Sequence, residues 1–242
     1  MRLALALLAL GALPLAAEEP LPPRVRRIVL HVLGGPMYDR PELRFAFLTP
    51  AETQALWPSY FGAHWIVWTD GTLWPRRPKP GEPRSRALPP ADAGSERLLL
   101  AREAAPAYAH AFGHNADTVG IELSHSGRSG DAYPDAQIRG LAWLLNALID
   151  MSQGRVTTAD IVGHKDLDRR PAYAEDSCEL AGCPVFVDEA GRPFRRRVDP
   201  PESLFVRLRQ EGLDVPRPVD GDKELLRAEK LGPGVRPAVR QR

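Results

Sequence analysis

The segments Ile161-Val162-Gly163-His164 and Arg197-Val198-Asp199-Pro200 decide how the rest of this sequence is interpreted. A short apolar run leads into His164, and a basic segment leads into Asp199, just before two prolines. Zinc in proteins accepts imidazole nitrogen and carboxylate oxygen, and a catalytic zinc site has three protein ligands with one position open for water. If His164 and Asp199 bind zinc, a third ligand and a general base must come from earlier in the chain.

The composition is that of a globular protein without a strong charge bias. The chain has 242 residues, of which 43% are hydrophobic, and this is enough for one substantial core. The formal net charge is +1, from 32 Lys and Arg against 31 Asp and Glu, which gives no support for nucleic acid as the main partner. The 25 prolines and 20 glycines predict long ordered loops.

The N-terminal residues have the pattern of a secretory signal. Arg2 is followed by an apolar run that ends in Pro14-Leu15-Ala16-Ala17. We therefore predict a cleaved signal peptide at residues 1–17 and a periplasmic or secreted protein, with no stable membrane span after cleavage. The apolar run is shorter than the about 20 residues that a membrane span needs. An uncleaved N-terminal anchor is the alternative.

Cys178 and Cys183 are the only cysteines, and both lie in a long insertion at residues 165–194. In an exported protein, two cysteines this close in sequence predict a local disulfide that closes a loop. A reduced pair packed against apolar residues is the alternative. A zinc site of four cysteines is excluded because the sequence has no second pair.

We predict an α/β fold in a single domain at residues 24–212, with a central mixed β-sheet flanked by helices and long loops. A C-terminal tail follows at residues 213–242. The predicted strands are the apolar runs at residues 27–33, 63–68, 118–123 and 161–163. Asp70-Gly71, between apolar runs, predicts a hairpin. The longest helix is predicted from the helical spacing of Ile138, Leu141, Leu144, Leu145, Leu148 and Ile149, which would face the core.

Two polar residues lie inside predicted buried strands. His31 is near the C-terminal end of its run, where open α/β sheets place their sites, but a packed core histidine is the alternative. Glu122 lies between Ile121 and Leu123. A carboxylate in a buried strand costs roughly several kcal/mol unless it is paired or used in chemistry. The alternative for Glu122 is an edge strand that turns this side chain to water.

Taken in chain order, these segments resemble the zinc-dependent type 2 N-acetylmuramoyl-L-alanine amidases. That superfamily includes the peptidoglycan-recognition proteins and the anhydromuramyl-peptide amidases. The similar segments span about residues 26–206 and are Ile28-Val29-Leu30-His31, Ala63-His64-Trp65-Ile66-Val67 with Asp70-Gly71-Thr72, His110-Ala111 and Asn115 before Val119-Gly120-Ile121-Glu122-Leu123, Ile161-Val162-Gly163-His164 and Arg197-Val198-Asp199-Pro200. Each segment is a weak signal alone, whereas their common order is a specific one.

The resemblance implies a zinc ion bound by His31, His164 and Asp199, with Glu122 as the catalytic carboxylate. The family often has Lys two residues before the Asp ligand, and this chain has Arg197 there. Arg keeps the positive charge but cannot donate its proton at neutral pH. We therefore assign Arg197 to charge stabilisation and not to proton transfer.

The activity implied is hydrolysis of the amide between the lactyl group of N-acetylmuramic acid and L-alanine, in peptidoglycan or muropeptides. We assign substrate binding to residues of the similar segments, namely His64, His110, Asn115 and Trp65. Trp65, Trp68 and Trp74 are candidates to line a groove for the glycan, and a place in the core is their alternative. We expect a monomer.

Other functions remain open at this point. A non-catalytic peptidoglycan-binding protein of the same fold would typically lack a zinc ligand, whereas all three candidate positions are filled here, which favours an enzyme. A zinc peptidase that cuts within the stem peptide is not excluded by the ligands, because the groove selects the bond. A structural or inhibitory protein without metal would be distinguished by measurement of bound zinc.

Overall fold

The structure is a computed structural model that describes residues 20–33, 51, 54–55, 62–111, 113–125, 127, 131–167, 169–171, 185–187, 193–196 and 199–216. The predicted signal peptide, both cysteines, Arg197 and most of the predicted tail lie outside these residues. Of the helices that the structure describes, none is long and apolar enough to cross a membrane.

Among the residues that the structure describes, five short strands form the central sheet. They are β1 (Arg27–Val32), β2 (Trp65–Val67), β3 (Leu73–Pro75), β4 (Thr118–Leu123) and β5 (Ile161–Gly163). Their order in the sheet is β3-β2-β4-β1-β5. The strands β2, β4, β1 and β5 are parallel to their neighbours, whereas β3 is antiparallel to β2. The mixed sheet and the hairpin at Asp70-Gly71 are thereby confirmed.

Helices accompany this sheet, as predicted for an α/β domain. They are α1 (Ala93–Ala104), α2 (Asp135–Met151), α3 (His164–Leu167) and α4 (Glu202–Gln210). Asp92 caps α1, because its Oδ1 accepts a hydrogen bond from the backbone N–H of Gly94 at 3.0 Å. The longest of these helices, α2, buries the predicted apolar stripe except for the half-buried Ile149.

The core lies on one face of the sheet. Leu30 of β1, Trp65 of β2 and Ile121 of β4 belong to one cluster of buried side chains. The same cluster contains Leu141 and Leu145 of α2, together with other residues of that helix and of α4. Because side chains alternate along a strand, the residues between these core positions point to the opposite face. His31 and Glu122 lie on that opposite face.

The core also includes residues close to both ends of the predicted domain. Leu21, Leu213 and Val215 are buried in the same cluster, just beyond the predicted bounds of 24–212. The backbone N–H of Leu21 donates to the carbonyl oxygen of Met151 at 2.8 Å, which joins this segment to the end of α2.

The insertion between His164 and Asp199 contains a second, smaller sheet that the sequence analysis did not predict. Its strands are β6 (Arg169–Pro171), β7 (Val185–Val187) and β8 (Pro193–Arg196). They are antiparallel, and β8 lies between β6 and β7.

Candidate metal centre

His31, His164 and Asp199 meet at the C-terminal edge of the central sheet. His31 lies near the end of β1, and His164 directly follows β5. Because β1 and β5 are parallel neighbours, these two positions lie side by side. Both imidazoles are buried, whereas Asp199 is 15% exposed. The three groups therefore form a mostly buried cluster.

Main-chain contacts bring Asp199 to the histidines across the insertion. The backbone N–H of Lys165 donates to the carbonyl oxygen of Asp199 at 2.9 Å. A Cβ atom added to Gly163 would lie only 3.1 Å from Cδ of Pro200. The segment after Asp199 thus packs closely on the strand that precedes His164, and the glycine permits this approach.

The distances in the cluster fit a tetrahedral zinc ion. Nδ1 of His31 lies 2.9 Å from Nδ1 of His164. Carboxylate oxygens of Asp199 lie 3.4 Å from Nδ1 of His164 and 3.8 Å from Nδ1 of His31. With bonds of about 2.0–2.1 Å, a tetrahedral zinc separates its ligand atoms by about 3.3 Å. The observed separations bracket this value, and two imidazoles with one carboxylate are an ordinary donor set for catalytic zinc.

Strand register positions Glu122 beside His31. The two residues are Cα partners in the parallel pairing of β1 with β4, so their side chains point to the same face. Since β4 lies between β1 and β2, the alternative of a Glu122 on an edge strand facing water is wrong. Glu122 is 9% exposed. This arrangement places a carboxylate next to the ligand cluster, where it is able to accept and return a proton.

Comparison with known families agrees with this geometry. A family model for N-acetylmuramoyl-L-alanine amidase matches residues 21–179, which is more than half of the chain. The chain belongs to this amidase family. The matched range includes His31, Glu122 and His164, and Asp199 lies beyond it. No curated protein sequence matches the chain.

Solved amidase structures are similar to this family member at low identity. The endolysin amidase LysCS from Clostridium intestinale is 20% identical, over 62% of this chain and 76% of that chain, with a TM-score of 0.36. AmpDH3 from Pseudomonas aeruginosa is 19% identical, over 94% of this chain and 80% of that chain, with a TM-score of 0.36. AmiD from E. coli, in complex with the substrate anhydro-N-acetylmuramic acid-L-Ala-D-gamma-Glu-L-Lys, is 22% identical, over 70% of this chain and 57% of that chain, with a TM-score of 0.34. The family assignment rests on the sequence match.

Two of the residues assigned to substrate binding, His64 and Trp65, are fully buried in this amidase. Nδ1 of His64 accepts from the backbone N–H of Gly120 at 2.9 Å, and its Nε2 lies 2.9 Å from the carbonyl oxygen of Pro106. Burial lowers the pKa of His64 to about 3, so the ring is neutral at physiological pH. Nε1 of Trp65 donates to Glu103 at 2.6 Å. These side chains hold the fold together and do not reach the surface, so the described structure gives no support to their assignment to substrate binding.

The other two assigned residues, His110 and Asn115, also have structural partners. Oδ1 of Asn115 accepts from the backbone N–H groups of His110 and Ala111, both at 2.8 Å, and so orders the loop before β4. The ring of His110 is buried, and its Nδ1 lies 3.1 Å from Nε2 of His31. Burial lowers the pKa of His110 well below its ordinary value, so this ring is neutral as well. His110 therefore contacts a candidate metal ligand, and its assignment to substrate binding stays a prediction.

Trp68 and Trp74 form a stacked pair on the same face as Glu122. Their rings are 4.5 Å apart and inclined by 2°. Ile66 is the Cα partner of both Trp74 and Glu122, which places Trp74 two strands away from the carboxylate. Both tryptophans are less than one-tenth exposed, so the described structure favours packing over groove contact for this pair.

Thr118 is a site residue that the sequence analysis missed. Its hydroxyl lies 3.1 Å from Nε2 of His110. A β-branched residue at the start of an apolar strand is ordinary β-sheet composition, so the sequence contains no signal that would distinguish it.

Proposed function

We propose that this protein hydrolyses the amide bond between the lactyl group of N-acetylmuramic acid and L-alanine, in peptidoglycan or its fragments, with zinc as its cofactor. One observation supports this most. In a chain of the amidase family, the ligand atoms of His31, His164 and Asp199 converge, and strand register puts Glu122 beside them.

The chemistry divides between the cofactor and the side chains. When bound, zinc would lower the pKa of a water molecule and polarise the scissile carbonyl group. Glu122 accepts the proton of the attacking water as the new C–O bond forms. It then delivers this proton to the nitrogen of L-alanine as the C–N bond breaks. The products are an amine and a lactyl carboxylic acid, which keeps the second proton of the water until it ionises. In this proposal Arg197 contributes a positive charge that stabilises the developing oxyanion.

We also propose that the protein acts outside the cytoplasm as a monomer. The apolar run after Arg2 is the sequence feature that supports export. Mass spectrometry of the protein recovered from a periplasmic or culture fraction would test this, with a chain that begins near Glu18 as the expected product. An intact N-terminus in a membrane fraction would contradict it.

The activity is tested on purified peptidoglycan and on soluble muropeptides, with and without a zinc chelator. Mass spectrometry is expected to find free stem peptides that begin with L-alanine, lost on chelation and restored by added zinc. The Glu122→Gln variant, loaded with zinc, is the matched control and should release almost none. Cuts within the stem would instead establish a peptidase, and intact muropeptides in every arm would establish a binding protein.

A further inference from the structure

A line of side chains connects the candidate metal centre to the main chain of the loop before β4. Nε2 of His31 lies 3.1 Å from Nδ1 of His110, and Nε2 of His110 lies 3.1 Å from Oγ1 of Thr118. Oγ1 of Thr118 in turn lies 2.6 Å from the carbonyl oxygen of His114. All three side chains in this line are buried.

The carbonyl group at the end of the line fixes the direction of each hydrogen bond. A carbonyl oxygen only accepts, so the Thr118 hydroxyl donates its single proton to His114. Oγ1 of Thr118 must then accept from His110, which places the proton of the neutral His110 ring on Nε2. Nδ1 of His110 is left with a lone pair.

This lone pair determines the state of His31. Because Nδ1 of His110 only accepts, Nε2 of His31 is the atom that has the proton. A His31 ring that carries this one proton has its lone pair on Nδ1, the atom that faces His164 and Asp199. In the opposite tautomer of His110, the proton would be on Nδ1 and would face the N–H group of His31 Nε2. To avoid this, His31 would have to carry its proton on Nδ1, the atom that zinc would bind.

We propose that His110 is a positioning residue that holds His31 in the tautomer with its proton on Nε2, so that the lone pair of Nδ1 points to the candidate metal centre. The inference rests on the proposed zinc site. Histidine ligands commonly donate their second N–H to a carboxylate, a carbonyl or water, and the ligand tautomer is fixed in that way. In this protein a second histidine, oriented by Thr118, is the acceptor.

The surroundings of His110 hold its ring in place. A Cβ atom added to Gly120 would lie 2.6 Å from Nδ1 of His110 and 2.8 Å from Cγ, so the absence of a side chain at this position leaves room for the ring. Asn115 fixes the backbone of His110 through its Oδ1. The position of the acceptor is thus set by β4 and by the loop before it.

The first test observes the tautomers directly in the zinc-free full chain. Long-range ¹H–¹⁵N spectra of the histidine rings distinguish a protonated ring nitrogen from an unprotonated one. We expect a proton on Nε2 and none on Nδ1 for both His31 and His110. A proton on Nδ1 of His110 would overturn the proposal without any variant being made.

The second test measures zinc affinity by competition with a chromophoric chelator. His110→Phe keeps a ring but removes the acceptor, and we expect zinc to bind about 10–100-fold more weakly. Thr118→Val should weaken binding in the same direction, about tenfold, whereas Thr118→Ser keeps the hydroxyl and should bind zinc like the wild type. Wild-type zinc affinity in His110→Phe would overturn the proposal, and wild-type affinity in Thr118→Val would remove Thr118 from it.

Zinc titration of activity separates this inference from the proposed function. If His110 acts through zinc binding, the amidase activity of Thr118→Val should recover as zinc approaches saturation. A wild-type protein that has the expected tautomers and binds zinc more tightly than His110→Phe, but releases no stem peptide, would refute the proposed function and leave the inference standing. An active wild type, together with a His110→Phe variant of unchanged zinc affinity, would refute the inference alone.

Discussion

The two faces of the central sheet are built from the same strands, but the side chains on one face have apolar neighbours and those on the other have polar neighbours. On the core face, Leu30 and Ile121 are buried among apolar residues of the helices. On the opposite face, His31 and Glu122 occupy the next position of the same two strands. The buried rings of His64 and His110 on that face are hydrogen-bonded to the main chain and to neighbouring side chains. Under the proposed function, neighbouring residues on one strand therefore have separate roles, one in stability and one in chemistry.

The largest effect is expected from Glu122→Gln on the face of the sheet that carries His31 and Glu122, which we call the site face. This substitution keeps the shape of the side chain but removes its ability to accept a proton, so kcat should fall by about 10²–10⁴-fold. Zinc content and the free energy of unfolding should stay close to those of the wild type. Steady-state kinetics on a muropeptide, with metal analysis of the same sample, checks this. A Glu122→Gln enzyme with near wild-type turnover would remove Glu122 from its catalytic role.

The adjacent substitution on the core face, Ile121→Ala, should have the opposite result. Ile121 is fully buried, and removal of its side chain should lower the free energy of unfolding by about 2–5 kcal/mol. The kcat of the folded fraction should be nearly unchanged. Urea unfolding, with kinetics well below the transition, measures both quantities. If Ile121→Ala lost turnover as severely as Glu122→Gln, the separation of the two faces would be wrong.

The sequence predicted the elements that depend on local patterns, and it did not predict the contacts between distant segments that form the site face. Strands, hairpin and longest helix were predictable because apolar runs and helical periodicity are local patterns. In a wholly apolar run such as Trp65-Ile66-Val67, however, no polar residue marks which face is which, so the burial of Trp65 was not predictable. The ligand cluster followed from a resemblance, since the meeting of His31 with Asp199 depends on contacts between distant segments. The contact of His110 with His31 depends on a loop conformation in the same way.

Low pH should lower the free energy of unfolding because of His64, which lies on the site face. The pKa of this ring is lowered by burial from 6.5 to about 3, so the unfolded chain binds a proton in that range that the folded protein does not. Stability that is present above pH 6.5 is therefore lost as the pH falls toward 3, by roughly a few kcal/mol at most. Urea unfolding of zinc-free protein at several pH values measures the slope. The control is His64→Asn, whose Oδ1 is able to accept from Gly120, and an equal slope in this variant would show that His64 is not the cause.

The smallest of these effects is expected from a single methyl group on the site face. In Gly120→Ala, the new Cβ would lie 2.6 Å from Nδ1 of His110, so the ring or the strand must shift. Overpacking of this kind costs about 1–3 kcal/mol of unfolding free energy, and the displaced His110 should also weaken zinc binding. Gly94→Ala is the control, because its Cβ would meet only Oδ1 of Asp92, at an ordinary 3.4 Å. Chelator competition and urea unfolding of both variants separate the two contributions. If Gly120→Ala lost stability but kept wild-type zinc affinity, the methyl group would matter only for packing, and the exact position of His110 would not matter for zinc binding.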